Sequence, residues 1–130
     1  MGRVDVRKLV YIAGPISSPA CIRVAERLYR FTQCENALLR AGYAPVNPAA
    51  DWAAVSMGGV DYEMLMERDH ALISACDAVY LLRGWQNSAG ALQEAEWARL
   101  LHIPRIEEGE EGFEAEGFGK LDKALGGNGH

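Results

Sequence analysis

AVYLL, at residues 78–82, is a short apolar run without a polar interruption. A strand with one face in solvent alternates apolar and polar residues, whereas a strand buried on both faces does not. The run LVYIA at residues 9–13 has the same character and ends at the Gly-Pro pair 14–15. Both runs predict short strands inside a parallel sheet, and residues 43–46 and 103–106 predict two further strands beside them.

Helical signals separate these strands. The stretch SSP at residues 17–19 combines serine N-caps with a proline in the first turn, which predicts a helix that continues to residue 41. A second helix is predicted after Asp61 and a third from Ser88, ending near residues 75 and 101. Alternation of strands and helices is typical of a doubly wound parallel α/β sheet. The apolar stripe predicted for the first helix consists of Val24, Leu28, Phe31, Leu38 and Leu39.

Composition and charge exclude several functional classes. The chain has 130 residues, enough for one domain with a single core, and a formal net charge of −5. Polymeric nucleic acid requires a basic surface, so neither it nor an anionic membrane is an expected partner. No apolar run approaches the ~18–20 residues of a membrane span. The three cysteines form no CxxC pair, so we expect no metal or other cofactor, and a cytoplasmic location.

The character of the chain changes after residue 106. The stretch EEGEEGFEAEGFG is acidic and rich in glycine, which predicts a mobile tail over residues 107–130, or a segment that orders only against a partner. Residues 121–125, LDKAL, could add one helical turn. We therefore expect an α/β domain at residues 1–106, followed by this tail.

Three loops should form the ligand site, because ligands of doubly wound sheets bind at the carboxyl ends of the strands. These loops span residues 14–18, 47–59 and 83–90. The second is long for a domain of this size, and residues 49–59 have no clear period; long loops in compact domains are often lids or binding loops.

Glu94 lies on an unusual face of the third predicted helix. Ser88 can act as the N-cap, and the capping-box position three residues later is Ala91, so Glu94 does not cap the helix. Glu96, in contrast, has Arg99 three residues ahead, as a surface acid should. The helical neighbours of Glu94 are all uncharged: Gly90, Ala91, Trp97, Ala98 and Leu101.

Two interpretations of Glu94 follow from this pattern. A carboxylate on an apolar face is costly unless it is paired or hydrogen-bonded, so Glu94 either extends to water or binds an arginine elsewhere in the chain. Alternatively, Gly90 and Ala91 leave a hollow for a ligand, with Glu94 at its floor. The periodicity of one helix leaves both interpretations open.

Five pieces of sequence together resemble the nucleoside 2-deoxyribosyltransferase-like superfamily. They are YIAGPIS at 11–17, NP at 47–48, an aspartate eight residues before Asp77, GW at 84–85 and SAGALQEAEWA at 88–98. The resemblance covers residues 9–106 and is greatest to a subgroup of small proteins catalogued as a domain of unknown function. The element Ser-x-Gly-x-x-x-Glu-x-x-x-Ala is also similar to that of deoxynucleoside 5′-monophosphate N-hydrolases. The implied fold is a single Rossmann-like or flavodoxin-like three-layer sandwich with four or five strands.

The resemblance also implies an activity, which is the cleavage or exchange of an N-glycosidic bond in a nucleoside or nucleoside 5′-monophosphate. Glu94 would be the nucleophile at the anomeric carbon, as in a retaining glycosidase. Asp69 would orient the sugar or handle the proton of the leaving base, and Tyr11 would hold the nucleophile by a hydrogen bond. As alternatives, Tyr11 is only a strand aromatic and Asp69 a surface acid.

The remaining candidates would bind the substrate. Ser88 and Gly90 would receive the 5′ end of the sugar, Trp85 would stack on the base or pack on its loop, and Asn47 would contact the substrate or shape its turn. Gly14, Ile16 and Ser17 form the first loop. Nucleotide hydrolases of the superfamily have an arginine where Ser17 stands, so a phosphate would be recognised there only if Ser17, Ser18 and the N-terminus of the first helix replace that arginine.

Two further expectations concern partners. Members of the superfamily commonly form homo-oligomers, so a dimer or larger assembly is expected. Besides the enzyme, a non-catalytic module that binds nucleosides or nucleotides, and a protein that acts through its acidic tail, are the alternatives.

Overall fold

The computed structural model describes residues 6–15, 21–51, 57–109 and 118–126. In chain order, its strands and α-helices are β1 (Leu9–Ala13), α1 (Cys21–Arg40), β2 (Ala44–Val46), α2 (Tyr62–Ser74), β3 (Ala78–Leu81), α3 (Ala89–Leu100), β4 (Arg105–Glu107) and α4 (Phe118–Ala124). Short 3₁₀ helices occupy Pro48–Asp51 and Trp85–Asn87, within two stretches that the sequence predicted as loops.

All four strands of the sheet are parallel, in the order β2-β1-β3-β4. The two strands that the sequence marked as apolar on both faces, β1 and β3, are the central pair, with Tyr11 beside Val79. The chain goes from β1 to β2 on one side and from β3 to β4 on the other, so the strand order reverses between β1 and β3. The doubly wound α/β class predicted from the sequence is confirmed.

Each face of the sheet is covered by helices, which gives three layers. On one face, Ile12 and Tyr80 pack with residues of α1 and α4. On the other face, Tyr11 and Val79 pack with residues of α2 and α3. Successive residues of a strand point to opposite faces, so Tyr11 contacts a different pair of helices from Ile12. This alternation positions the candidate site.

Helix boundaries agree closely with the sequence signals where the structure describes them. Asp61 is the N-cap of α2 and accepts a hydrogen bond from the Met64 amide at 2.8 Å. Ser88 is the N-cap of α3. The SSP signal for the first helix lies in residues 16–20, outside the described residues.

Two local predictions were wrong. Leu39, assigned to the apolar stripe of α1, is 46% exposed, because the buried stripe runs through Phe31, Cys34 and Leu38 at spacings of three and four. The fourth strand begins at Arg105 rather than at residue 103. Its predicted first residue, Ile103, instead donates its amide to the Ala98 carbonyl at 2.8 Å and closes the end of α3.

Part of the predicted tail belongs to the folded domain. Glu107 ends β4, and Phe118 and Leu121 of α4 are buried in the core on the α1 face. The Tyr43 hydroxyl donates a hydrogen bond to Asp122. Residues beyond 106, the domain boundary expected from the sequence, therefore take part in core packing. None of the helices in the described part of the chain has the length and apolar character needed to cross a bilayer.

Candidate active site

A buried tyrosine and a buried glutamate meet between the sheet and α3. Tyr11 of β1 is 0% exposed and Glu94 of α3 is 6% exposed. The Tyr11 hydroxyl donates a hydrogen bond to Glu94 Oε2 at 2.5 Å, across a separation of 83 residues in the chain. A short bond to an ionisable oxygen, shielded from water, is among the stronger hydrogen bonds of a protein.

The position of Glu94 on α3 decides one of the questions that the sequence left open. Ala91, Glu94, Ala95 and Ala98 form the buried face of this helix. The carboxylate therefore does not extend to water. Its described hydrogen-bond donor is a tyrosine hydroxyl, and an arginine, Arg68, acts on it through charge.

Asp69 brings a second carboxyl group to the same place from α2. It is 7% exposed, and the adjacent Arg68 donates from Nε and Nη2 to Asp69 Oδ1 at 3.1 and 2.9 Å. Asp69 also raises the pKa of Glu94, through its charge and a side-chain hydrogen bond. The three residues predicted to be catalytic, Tyr11, Asp69 and Glu94, are therefore brought together between β1, α2 and α3.

Burial sets the protonation of this cluster. Removal from water raises the pKa of Glu94 well above its ordinary value of 4.5; the Tyr11 hydrogen bond and the Arg68 charge oppose this shift, and Asp69 adds to it. Burial also raises the pKa of Tyr11, helped by the charges of Glu94 and Asp69, so its hydroxyl stays protonated and remains a donor. Two neighbouring carboxyl groups in such surroundings are typical of sites where one acts as a general acid and the other as a base or nucleophile.

The start of α3 contains the pair Ser88 and Gly90. Ser88 Oγ accepts a hydrogen bond from the Ala91 amide at 3.2 Å, so its N-cap role is fulfilled. A Cβ added at Gly90 would meet the Tyr62 hydroxyl at 3.6 Å and Met66 Sδ at 3.9 Å, which are ordinary contacts. Packing therefore does not require glycine at position 90.

Gly14 has a different explanation. A Cβ at this position would lie 2.9 Å from Cβ of Leu82, closer than real side chains approach each other. Glycine is needed here because the ends of β1 and β3 pass close together. Its presence carries no separate indication of a ligand.

The other predicted substrate residues have local partners. Trp85 Nε1 donates to Glu107 Oε1 at 3.1 Å, and its ring packs against the core on the α2–α3 face. Asn47 Nδ2 donates to Glu35 at 3.0 Å, and its Oδ1 accepts from the Ala49 amide at 2.9 Å. The Oδ1 contact shapes the turn, and the Nδ2 contact joins the turn to α1. Ile16 and Ser17 lie outside the described residues.

Sequence reasoning missed three residues of α2 near the site. Tyr62 and Met66 lie over Gly90, and Arg68 binds Asp69. Tyr62, Met66 and Asp69 are spaced four and three apart, so the helical period would have placed both beside Asp69 once that residue was chosen. In the described ranges, no group of three or more His, Cys, Asp and Glu side chains could hold a metal ion.

A family model for a domain of unknown function, DUF4406, matches residues 8–106, which include Tyr11, Asp69 and Glu94. The chain belongs to the DUF4406 family. Its fold is similar to the crystal structure of a conserved protein from Enterococcus faecalis V583, with a TM-score of 0.55 and 24% identity over 90% of this chain and 74% of that chain. At this identity the likeness concerns the fold alone. None of the curated proteins matches the chain.

Proposed function

We propose that this protein cleaves or exchanges the N-glycosidic bond of a nucleoside or nucleoside 5′-monophosphate, with Glu94 as the nucleophile. The observation that carries the proposal is the buried contact between Tyr11 and Glu94, with the carboxyl group of Asp69 beside it. A fold needs no pair of acids inside its core, because two buried carboxyl groups cost free energy. Such groups are typical of catalytic sites.

In the first step, a carboxylate oxygen of Glu94 attacks the anomeric carbon of the sugar as the bond to the base breaks. The electron pair of that bond goes to the base nitrogen, which takes a proton. Asp69, in its protonated form, is the donor in this proposal. The anomeric carbon passes through an oxocarbenium-like state and is then held as a glycosyl ester of Glu94.

In the second step, the ester is cleaved. Water gives a proton to Asp69 as its oxygen attacks the anomeric carbon and the bond to Glu94 breaks. In the other route the N–H nitrogen of a second base attacks in place of water and gives its proton to Asp69 in the same way. The first route is hydrolysis and the second is transfer. Either route returns Glu94 as a carboxylate and leaves Asp69 ready for another cycle, as in retaining glycosidases.

The surroundings of Glu94 set the pH at which it can act as the nucleophile. Glu94 must be ionised to attack, and the Tyr11 hydrogen bond and the Arg68 charge favour that form. Burial and Asp69 favour the protonated form of Glu94 and raise its pKa, so the ionised nucleophile forms at higher pH than for an ordinary glutamate.

The start of α3 would hold the 5′ end of the sugar in this proposal. Gly90 leaves room that packing does not use, and Tyr62 and Met66 lie opposite it. A small nucleoside or nucleotide is the partner of such a site, with no cofactor needed for the chemistry. The same proposal includes chemistry like that of the nucleoside 2-deoxyribosyltransferases, a homo-oligomeric assembly and a cytoplasmic location.

The test is base release from a panel of ribonucleosides, deoxyribonucleosides and their 5′-monophosphates, followed by chromatography, with and without a second base as acceptor. Glu94→Gln is expected to lower the rate by at least about a thousandfold, because the nucleophile is lost while the shape is kept. Glu96→Gln is the matched control, two residues away on the exposed face of the same helix, and should keep full activity.

Circular dichroism and thermal unfolding of both variants exclude a folding defect as the cause. Full activity of the Glu94→Gln protein contradicts the assignment of the nucleophile. Thermal stabilisation of the wild-type protein by a nucleoside, without release of free base, contradicts the enzyme and favours the binding module.

A further inference from the structure

Arg68 and Asp69 form an ion pair beside Glu94 although they are neighbours on the same helix. Arg68 donates from Nε and from Nη2 to one oxygen, Asp69 Oδ1, at 3.1 and 2.9 Å. Side chains at adjacent positions of a helix do not face each other, so the Arg68 side chain must turn back toward Asp69 to make both contacts. The pair is therefore a specific arrangement and not a result of helical spacing.

The two side chains of this pair differ in their exposure to solvent. The Arg68 side chain is 33% exposed and that of Asp69 is 10% exposed. The guanidinium group thus reaches the solvent, whereas the carboxyl group belongs to the buried cluster around Glu94. An ion pair that is partly in water contributes little to stability, so a contribution to folding does not by itself account for this contact.

Two N–H donors on one oxygen decide which oxygen of Asp69 can carry a proton. A carboxyl oxygen has two lone pairs, and Asp69 Oδ1 accepts two hydrogen bonds from Arg68. A hydrogen on Oδ1 would point at these donors, so the protonated form of Asp69 has its hydrogen on Oδ2. Oδ1 stays an acceptor in both protonation states, and the carboxyl group keeps one orientation.

The charge of Arg68 also acts on the other two members of the cluster. Burial is the main cause of the raised pKa of Glu94, Asp69 adds to it, and the charge of Arg68 opposes it. The charge of Arg68 opposes the rise in the pKa of Tyr11 in the same way. Replacement of Arg68 should therefore affect the ionisation of Glu94 as well as the orientation of Asp69, and an experiment must separate the two effects.

We propose that Arg68 is a positioning residue for the reaction: it holds Asp69 through Oδ1, so that Oδ2 is the oxygen that protonates the leaving base. Arg68 itself touches neither the base nor the sugar. A guanidinium group suits this role because its planar fork fixes the plane of the acceptor, which the single ammonium group of a lysine does not. The inference rests on the proposed function and adds to it the residue and the atom that determine the proton transfer.

Leaving groups that differ in their need for a proton test this role. The first probe is the nucleoside or 5′-monophosphate that releases its base fastest in the panel used for the proposed function. The second is the 4-nitrophenyl glycoside of the same sugar, whose leaving group departs as a stable anion. Arg68→Gln should lower kcat for the first probe by about tenfold or more, as part of the ~10²–10⁴-fold that general acid catalysis contributes, and should change kcat for the second by less than about threefold.

The effect on Glu94 is separated by measuring each variant at the pH where it is most active. Arg68→Lys keeps the charge but loses the fork, so it should keep the acidic limb of the pH profile in place without restoring kcat for the first probe. Arg99→Gln is the matched control, because it removes a guanidinium group that is 57% exposed on the outer face of α3, and it should leave both rates unchanged. Equal losses with the two probes would overturn the proposal.

A double-mutant cycle tests whether Arg68 acts through Asp69. Asp69→Asn removes the proton donor, and it also removes the buried charge that Arg68→Gln would otherwise leave without these two bonds. In the Asp69→Asn protein, Arg68→Gln should lower the rate with the first probe by less than about twofold further, because the transfer that it positions is already lost. Independent, multiplicative losses in proteins that unfold at similar temperatures would overturn the proposal.

Failure of this inference can be told apart from failure of the proposed function. Absence of base release by the wild-type protein contradicts the proposed function, and the role of Arg68 with it. Base release that Arg68→Gln leaves unchanged contradicts the role of Arg68 alone.

Discussion

The two faces of helix α3 carry one glutamate each, two residues apart, and treat them in opposite ways. Glu94 is on the inner face among Ala91, Ala95 and Ala98, and burial raises its pKa. Glu96 is on the outer face, and hydrogen bonds from Arg99 lower its pKa. Identical side chains on one helix thus become a buried acid that favours its proton and an ordinary surface charge.

The difference shows which features allow a carboxyl group to be buried on the inner face of α3. Small alanines leave room for the Glu94 carboxyl group, and Tyr11 supplies a donor for it. Exposed ion pairs such as that of Glu96 contribute little to stability, whereas a buried charge is costly unless partners compensate it. Three predictions use this contrast, in order of decreasing effect.

The largest effect is expected from a new charge on the inner face. Ala95 is 2% exposed, and Ala95→Asp would bury a carboxylate next to Glu94 with no donor assigned to it. We expect a loss of about 3–5 kcal/mol in the free energy of unfolding, measured by urea denaturation. Gln93→Asp makes the same kind of change on the exposed side and should stay within about 0.5 kcal/mol. Similar losses in both variants would contradict the distinction between the faces.

Removal of the donor on the inner face should have the next largest effect. Tyr11→Phe keeps the ring but takes away the hydrogen bond to the buried carboxyl group, at an expected cost of about 1–3 kcal/mol. That bond favours the ionised form, so its loss should raise the pKa of Glu94 further and move the acidic limb of activity to higher pH. Tyr29→Phe, at a tyrosine that is 64% exposed, is the control for removal of a hydroxyl group. A pH profile unchanged by Tyr11→Phe would show that the Tyr11 hydroxyl does not affect the pKa of Glu94.

The smallest effects are expected in the dependence of stability on pH. As the pH rises, Glu94 and Glu96 should change the free energy of unfolding in opposite directions. The folded pKa of Glu94 is above its unfolded value, so its contribution to stability is present at low pH and is lost as the pH rises through the folded pKa. Glu94→Gln should therefore be more stable than the wild type at pH 8, and the gap should close as the pH falls toward 4.5. Tyr11, Asp69 and Arg68 face this group and set the width of the window.

Glu96 should show the opposite trend. Its folded pKa is lowered, so its small contribution is present at neutral pH and is lost as the pH falls through the folded pKa. Glu96→Gln should show a slightly lower melting temperature at pH 8, and this difference should vanish in acid. Melting curves of both variants across this pH range provide the measurement. Parallel curves for the two variants would show that Glu94 is not desolvated in solution.

Much of the fold was predictable because the signals are local. The continuous apolar runs of β1 and β3 predicted the two central strands, and Asp61 and Ser88 predicted the helix starts. The errors lie where tertiary contacts override local pattern. Ile103 resembles a strand residue but closes α3, and Leu39 is apolar but lies beside the buried stripe of α1.

The candidate site was predictable in part. The helix pattern indicated that Glu94 lies on an apolar face, and the family resemblance selected Tyr11 and Asp69. Neither could indicate Arg68, or the placement of Tyr62 and Met66 over Gly90, because these depend on how α2 packs against α3.

The sequence by itself determined the class of fold, since strand burial and helix starts are encoded within a few residues of chain. It also determined that Glu94 lacks a charged neighbour on its own helix. The family resemblance implied Tyr11 as its partner, and only the tertiary structure brought the two side chains into contact. Its hydrogen-bond donor lies 83 residues away, on a strand whose alternation points Tyr11 toward α3. The tertiary structure likewise made α4 part of the core, because Phe118 and Leu121 pack on the α1 face of the sheet.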